Sequence, residues 1–139
     1  MAKIIDDEKL LKLFDALRES SEKGIPIIVE GKRDEDALRS IGICGQIIKV
    51  AGQGPLKVVD SMISSGRIPS SVIILTDLDR KGDLLASMLD DLLRSYGIVP
   101  INEFRYELRK IVGGRIKGIE ELTYLLEFIE RNSRRRYDE

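Results

Sequence analysis

The fold is decided by residues 71–82, which read SVIILTDLDRKG. Positions 72–75 are apolar without interruption, as in a central parallel strand that is covered on both faces. Asp77 and Asp79 follow this strand directly, and a helical pattern begins at Arg80. Residues 71–82 therefore predict a strand, a short acidic turn and a helix, which is the repeating unit of α/β proteins.

This strand–turn–helix unit occurs twice earlier in the chain. Apolar stretches precede the turn EGKRD at 30–34 and the turn AGQG at 51–54, after which Pro55 opens a helix. Units of about 25 residues imply right-handed crossovers between parallel strands. We therefore expect an α/β, Rossmann-like fold, with a mostly parallel sheet of about four strands and helices on both faces. The predicted strands are 25–29, 46–50, 71–76 and 98–101, and the predicted helices, besides the one opened by Pro55, are 6–23, 34–41, 80–96, 102–112 and 119–131.

The chain has 139 residues, which is the size of one domain. We expect residues 1–24 to form a helix that packs on the domain, residues 25–131 to form the domain with its C-terminal helices, and residues 132–139 to form a polar, basic tail. On the first helix, Leu10 and Phe14 belong to an apolar stripe with helical spacing, which predicts the face that packs inward. On the helix opened by Pro55, Leu56 and Val59 belong to the predicted inner face.

Composition excludes several kinds of site. The sequence has no histidine and one cysteine, Cys44, which excludes histidine-based catalytic triads, histidine-ligated zinc and an intramolecular disulfide. The net charge is −1, so attraction to nucleic acid would need a local basic patch. Apolar runs are too short for a bilayer span and the N-terminus is too charged for a secretory signal. We therefore expect a cytoplasmic protein with no membrane partner.

Acidic residues follow two of the predicted strands. Glu30 follows the first strand, and Asp77 and Asp79 follow the third. Ligands of open α/β sheets bind beyond the carboxyl ends of the strands, where the strand order reverses. If the order is 2-1-3, Glu30 faces the aspartate pair there, and the alternation of side chains turns Leu78 into the core. Three neighbouring carboxylates repel one another unless a cation is present, and Mg²⁺ prefers oxygen ligands.

Structural roles are the alternative for several of these residues. Asp79 is also a natural N-cap for the helix that begins at Arg80, and Asp34 for its own helix. Four aromatic residues fall at helical spacings, which is more typical of core packing than of base stacking. They are Phe104, Tyr106, Tyr124 and Phe128.

Two motifs together carry a resemblance to a known family. Residues 27–34 read IIVEGKRD and residues 72–82 read VIILTDLDRKG, and this pair resembles the Toprim domain. Bacterial primases, topoisomerases, OLD-family nucleases and a ribosomal-RNA maturase share that catalytic fold. The resemblance extends over residues 25–96, and the chain is most similar to the small stand-alone Toprim proteins of archaea. Leu78 departs from the pattern, because many relatives have proline there.

The resemblance implies a set of site residues. It implies that Glu30 is the acid/base residue and shares in metal binding, and that Asp77 and Asp79 bind Mg²⁺ or Mn²⁺. The loop with Gly52 and Gly54 lies where many members have a glycine-containing turn. The basic residues beside the motifs suit a phosphate that is bridged to the metal. These are Lys32, Arg33, Arg80 and Lys81.

We therefore expect metal-dependent, nuclease-like phosphodiester chemistry on RNA or DNA. One alternative is a non-catalytic module that binds nucleic acid or a nucleotide together with a protein that supplies specificity. Another is a haloacid-dehalogenase-like phosphatase with Asp77 as nucleophile. A second copy of the chain is a further candidate partner, through the N-terminal helix. Nucleic-acid contacts or a solvated helix end would both explain Arg134, Arg135 and Arg136.

Overall fold

The protein is built on a four-stranded sheet in which all neighbouring strands are parallel. In the computed structural model, residues 5–138 are described, with side chains for residues 5–132. The strands lie in the order β2-β1-β3-β4. The predicted α/β class and Rossmann-like sheet are thereby confirmed. The strands are β1 (Ile27–Val29), β2 (Ile47–Lys49), β3 (Ser71–Ile74) and β4 (Val99–Ile101).

Six helices flank this sheet in the described part of the chain. Local signals fix their ends: the Asp6 carboxylate accepts a hydrogen bond from the Lys9 backbone N–H at the start of the first helix, and Pro55 is the first residue of the third. Within residues 5–138, no helix is both long enough and apolar enough to cross a membrane. The helices are α1 (Asp7–Glu22), α2 (Lys32–Ser40), α3 (Pro55–Ser64), α4 (Arg80–Ser95), α5 (Glu103–Val112) and α6 (Ile119–Asp138).

Two helices differ from the predicted bounds by more than one residue at an end. Helix α2 begins at Lys32 rather than at Asp34, so Asp34 lies in the first turn and is not the N-cap. Its carboxylate accepts a hydrogen bond from the Gly31 backbone N–H, 3.0 Å away, which satisfies a donor ahead of the helix. Helix α6 continues past the predicted end at Arg131 to Asp138.

Two apolar cores lie on the two faces of the sheet. Helices α1, α2, α5 and α6 contribute to one core, with Phe14, Leu38 and Leu126 among its buried residues. Helices α3 and α4 cover the other face, where Val59 and Leu89 are buried. Right-handed crossovers require this division, because the chain moves one way from β1 to β2 and the other way from β2 to β3. The direction therefore reverses between β1 and β3.

Several apolar residues predicted to be buried are exposed instead. Leu56, predicted on the inner face of α3, is 59% exposed, and Val58 takes the inward position. The expectation that Tyr106, Tyr124 and Phe128 belong to the core was wrong, because these side chains are 64%, 63% and 56% exposed. On α6 the inward face is formed by Ile119, Leu122, Leu126 and Ile129, which turns the two aromatic residues of that helix outward.

Candidate active-site cleft

A cleft of about 660 Å³ opens at the carboxyl ends of β1 and β3, where the strand order reverses. This is the position at which open α/β sheets bind their ligands. The turns after β1 and β3, the start of the loop after β2 and the beginning of α6 form its walls. Acidic and basic residues share the lining, which includes Glu30, Lys32, Arg33, Asp34, Asp77, Lys81, Glu120 and Glu121.

Glu30 and Asp77 meet in this cleft. The Glu30 carboxylate accepts a hydrogen bond from the Asp77 backbone N–H, with 2.7 Å between Oε2 and N. The bond joins the residue after β1 to the turn after the neighbouring strand β3, although 47 positions separate them in sequence. The structure thus places the Glu30 side chain beside Asp77, as the strand order 2-1-3 predicted.

The Asp77 carboxyl lies in an environment that disfavours its charge. Burial, and then the charges of Asp34 and Glu30, raise its pKa from the ordinary 3.8 to about 6. The backbone N–H of Ile119, the first residue of α6, donates to Asp77 Oδ1 at 3.3 Å and lowers the pKa in part. The balance leaves a carboxylate whose repulsion from its neighbours a cation would relieve.

Asp34 belongs to the same acidic cluster, although sequence reasoning gave it only a helix-capping role. Burial raises the pKa of Asp34 above its ordinary value, the hydrogen bond from Gly31 opposes this, and the charges of Glu30 and Glu120 raise it further. Glu30, Asp77 and Glu120 line the same cleft as Asp34. The position of Glu120 depends on how α6 packs against α2, for which the sequence carries no local signal.

Asp79 has the structural role that was weighed as its alternative. Its Oδ1 accepts a hydrogen bond from the Gly82 backbone N–H at 2.7 Å, so Asp79 is the N-cap of α4. Leu78 between the aspartates is 2% exposed and belongs to the core, as the alternation predicted. Within residues 5–132, no three acidic or cysteine side chains lie close enough together to hold a metal ion. The expected metal-binding trio is therefore assembled only in part.

The turn between β3 and α4 is tightly packed against its own backbone. Thr76 is fully buried, and its hydroxyl donates to the Gly82 carbonyl at 2.8 Å. A Cβ at position 82 would lie 1.8 Å from the carbonyl oxygen of Asp77. Only glycine fits at this position, which gives a packing reason for the final glycine of DLDRKG.

Arg105, on α5, holds the same turn from outside, and sequence reasoning did not identify it. Its side chain is 11% exposed and donates to the carbonyls of Thr76, at 3.1 Å, and Asp77, at 2.6 Å. It also pairs with Asp83 on α4, as does Arg109. Burial alone would raise the pKa of Asp83, but the hydrogen bonds from these arginines outweigh it and hold that pKa below its ordinary value.

The predicted phosphate-binding residues divide into two groups. Lys32, Arg33 and Lys81 line the cleft. The Lys32 ammonium is 3.0 Å from the Asp36 carboxylate, and the hydrogen bond and charge of Asp36 raise its pKa. Gly52, Gly54 and Arg80 are not among the described residues that line the cleft. Arg134, Arg135 and Arg136 lie beyond residue 132, outside the described side chains.

The residues of the cleft can support ligand binding and proton exchange. Glu30 and Asp77 line an open cleft, and the cationic side chains of Arg33 and Lys81 line the same cleft. Such a cleft can accept an anionic group together with a hard divalent cation that retains several of its waters. A carboxyl with a raised pKa can also exchange a proton near neutral pH.

Comparison with known proteins identifies relatives of this chain. A UPF0292 protein of Methanosarcina barkeri is 39% identical over 119 residues, which cover 85% of this chain and 81% of that protein. A UPF0292 protein of Pyrococcus horikoshii is 46% identical over 113 residues, or 81% and 80% of the two chains. No family model matches the sequence.

A solved structure has the same fold. A putative protein from Aquifex aeolicus superposes with a TM-score of 0.67 and 33% sequence identity. The match covers 79% of this chain and 94% of that one. Because the sequence relatives exceed 30% identity over most of both chains, the protein described here belongs to the UPF0292 family.

Proposed function

We propose that this protein is a Toprim-type enzyme that carries out Mg²⁺-dependent phosphodiester hydrolysis on nucleic acid at the cleft between β1 and β3. The observation that carries the proposal is the hydrogen bond from the Asp77 backbone to the Glu30 carboxylate at the switch point of the sheet. It supports the pairing of acidic motifs on which the Toprim resemblance rests.

The chemistry of the donor set supports a divalent cation in the cleft. Burial, and after it the charges of neighbouring carboxylates, raise the pKa values of Asp34 and Asp77 there, so their charged forms are disfavoured without a cation. Mg²⁺ needs only one or two carboxylates, because it keeps several waters. Asp77 and Glu30 would hold the ion, and the second oxygen of Asp79 would add to the negative field. When bound, Mg²⁺ neutralises phosphate charge and lowers the pKa of a coordinated water.

The chain itself contributes positioning and proton transfer. The Asp77 carboxylate is held by the Ile119 N–H and its carbonyl by Arg105, so the side chain is oriented before any ligand arrives. Arg33 and Lys81 line the cleft and would bind phosphate oxygens. Glu30 is the residue we assign to moving a proton to or from the reacting oxygen.

Cleavage assays with two conservative variants test this proposal. Structured RNA and duplex DNA are incubated with wild type, Glu30→Gln or Asp77→Asn in the presence of Mg²⁺. Both amides keep an oxygen acceptor for the Asp77 or Ile119 N–H, so the turn should remain folded. We expect each variant to lose at least about 100-fold in rate, the usual effect of removing an acid/base or metal-binding group.

A matched control uses an exposed aspartate far from the cleft. Asp91 lies on α4 on the surface, and Asp91→Asn makes the same charge change as Asp77→Asn. Its cleavage rate should equal that of wild type. Equal rates for wild type and Asp77→Asn, or cleavage that persists in excess chelator, would contradict the proposal.

A binding module without turnover is the second candidate. Two observations favour it: Asp79 is engaged as a helix cap, and the Lys32 ammonium at the cleft already pairs with Asp36. In this case, RNA or a nucleotide would bind with an affinity that falls steeply with salt. Binding that is unaffected by Asp77→Asn, without any product, would support this candidate over hydrolysis.

A further inference from the structure

Helix α6 carries an exposed stripe that no element of the described chain covers. The α6 stripe consists of Glu121, Tyr124, Phe128 and Arg131, and all four side chains are exposed. Its two aromatic rings are 63% and 56% exposed. Large aromatic side chains are normally buried or used in an interface, so two neighbouring exposed rings need an explanation.

The spacing of the stripe is that of a helix–helix contact. Its members are three, four and three residues apart, which is the pattern of the seam of a coiled coil. At 100° per residue they fall within an arc of about 80° on the helix surface. This arc lies opposite the buried face formed by Leu122, Leu126 and Ile129. The helix can therefore receive a second helix on its outer side without releasing its contacts with the core.

The stripe is complementary to itself when it is reversed. An acidic residue stands at one end, two aromatic residues stand in the middle, and a basic residue stands at the other end. In an antiparallel pair related by a two-fold axis near position 126, Glu121 faces Arg131 of the second copy and Tyr124 faces its Phe128. Isologous interfaces require this kind of self-complementary patch. We propose that two copies of this chain associate through antiparallel packing of their α6 stripes.

Charge complementarity favours a second copy over other occupants. The opposite charges at the two ends of the stripe match the same stripe turned around, whereas a nucleic acid would require a surface of one positive sign. A 20-residue helix is about 30 Å long, so one helix pair buries less than the roughly 1,600 Å² of a standard interface. We therefore expect a weak dimer, with a dissociation constant in the micromolar range.

The dimer would alter the cleft as well. Glu121 belongs both to the stripe and to the lining of the cleft. The pairing therefore brings Arg131 of the second copy to the mouth of an acidic cleft, where it would bind a phosphate group. This consequence rests on the proposed function, whereas the dimer itself does not.

Charge reversal tests the interface directly. The full chain is examined by sedimentation velocity from about 10 to about 500 µM as wild type, Glu121→Arg, Arg131→Glu and the double variant. Each single change turns two ion pairs into two like-charge contacts and should weaken association by about tenfold or more. The double variant restores both pairs with reversed polarity and should associate within about threefold of wild type. Asp91→Arg on α4 is the control and should leave association unchanged.

Mixing the two single variants gives a second, independent result. Glu121→Arg and Arg131→Glu should each be largely monomeric, whereas their mixture should form heterodimers, because every facing pair then has opposite signs. Circular dichroism verifies that each variant is folded, and restoration in the double variant would itself show this. A monomer at every concentration, or a dimer that is indifferent to all these changes, would overturn the proposal. The measurement uses no substrate, so loss of the proposed hydrolysis leaves its result unaffected.

Discussion

At the scale of single residues, Asp77 is the most informative position. Its pKa is raised from 3.8 to about 6, so the folded state binds its proton more tightly than the unfolded state does. This group therefore lowers stability progressively as the pH rises through this interval, and the loss is complete above about pH 6. In metal-free protein, we expect Asp77→Asn to raise the free energy of unfolding near pH 7 by about 1 kcal/mol, a value reduced for partial solvent exposure.

Urea denaturation in chelator near pH 4 and near pH 7 measures this effect. The difference in stability between wild type and Asp77→Asn should be small at the lower pH and largest at the higher one. Asp91→Asn, the exposed control on α4, should follow wild type at both. A variant that is less stable than wild type near pH 7 would show that the Asp77 charge is compensated in the folded protein.

The second prediction at the residue scale concerns the stability of a Gly82 variant. A methyl group there would meet the Asp77 carbonyl oxygen at 1.8 Å, and that oxygen is fixed because Arg105 also binds it. We expect Gly82→Ala to lower the free energy of unfolding by about 3 kcal/mol. Gly118→Ala is the control, since its methyl group would lie 3.5 Å from a flexible glutamate oxygen and, directly before α6, should cost no more than about 1 kcal/mol. Thermal and urea unfolding of both variants decide the matter, and equal stability would show that the turn can shift.

At the scale of elements, Arg105 connects α5 to the turn that carries Asp77. It supplies donors to two carbonyls at the end of β3 and pairs with Asp83 at the start of α4. We expect Arg105→Met to lower the free energy of unfolding by about 2 kcal/mol, because two shielded carbonyls lose their partner. Arg109→Met is the control: this side chain is 41% exposed and, among the described residues, bonds Asp83 alone, so the change should cost less than about 1 kcal/mol. Similar losses for the two variants would mean that Asp83, and not the carbonyls, accounts for the effect.

The elements themselves were largely predictable from sequence, and the helix faces were less so. Uninterrupted apolar strands and glycine or proline at the turns determine the α/β pattern, because both are local signals. Which side of a helix is buried depends on its neighbours. On α3 the spacing alone placed Leu56 inward, but packing against the sheet selects Val58 instead. On α6 the apolar residues fit two faces, and the structure buries only one of them.

The site residues that directly follow the strands were predictable from the sequence. Glu30 and Asp77 meet because the carboxyl ends of neighbouring parallel strands share one edge, and this needs only the strand order. Glu120 and Arg105 were not predictable, because they reach the site from α6 and α5 through tertiary packing. Asp79 shows a different limit of prediction from sequence. The same short acidic side chain suits both a helix cap and a cation ligand, and the bond to Gly82 indicates the first role.

At the scale of the whole molecule, the acidic cleft should couple cation binding to global stability. An ion that binds the folded state alone stabilises it by about 2.7 kcal/mol at a concentration one hundred times its dissociation constant. We expect Mg²⁺ to raise the melting temperature of wild type above that in K⁺ of equal ionic strength, and more near pH 7 than near pH 5, because protons compete for Asp77. Asp77→Asn should lose most of this increase, and Asp91→Asn should retain it. Equal increases in both variants would assign the effect to ions bound elsewhere on the surface, and the cleft would then have to accommodate its carboxylates by protonation rather than by a metal.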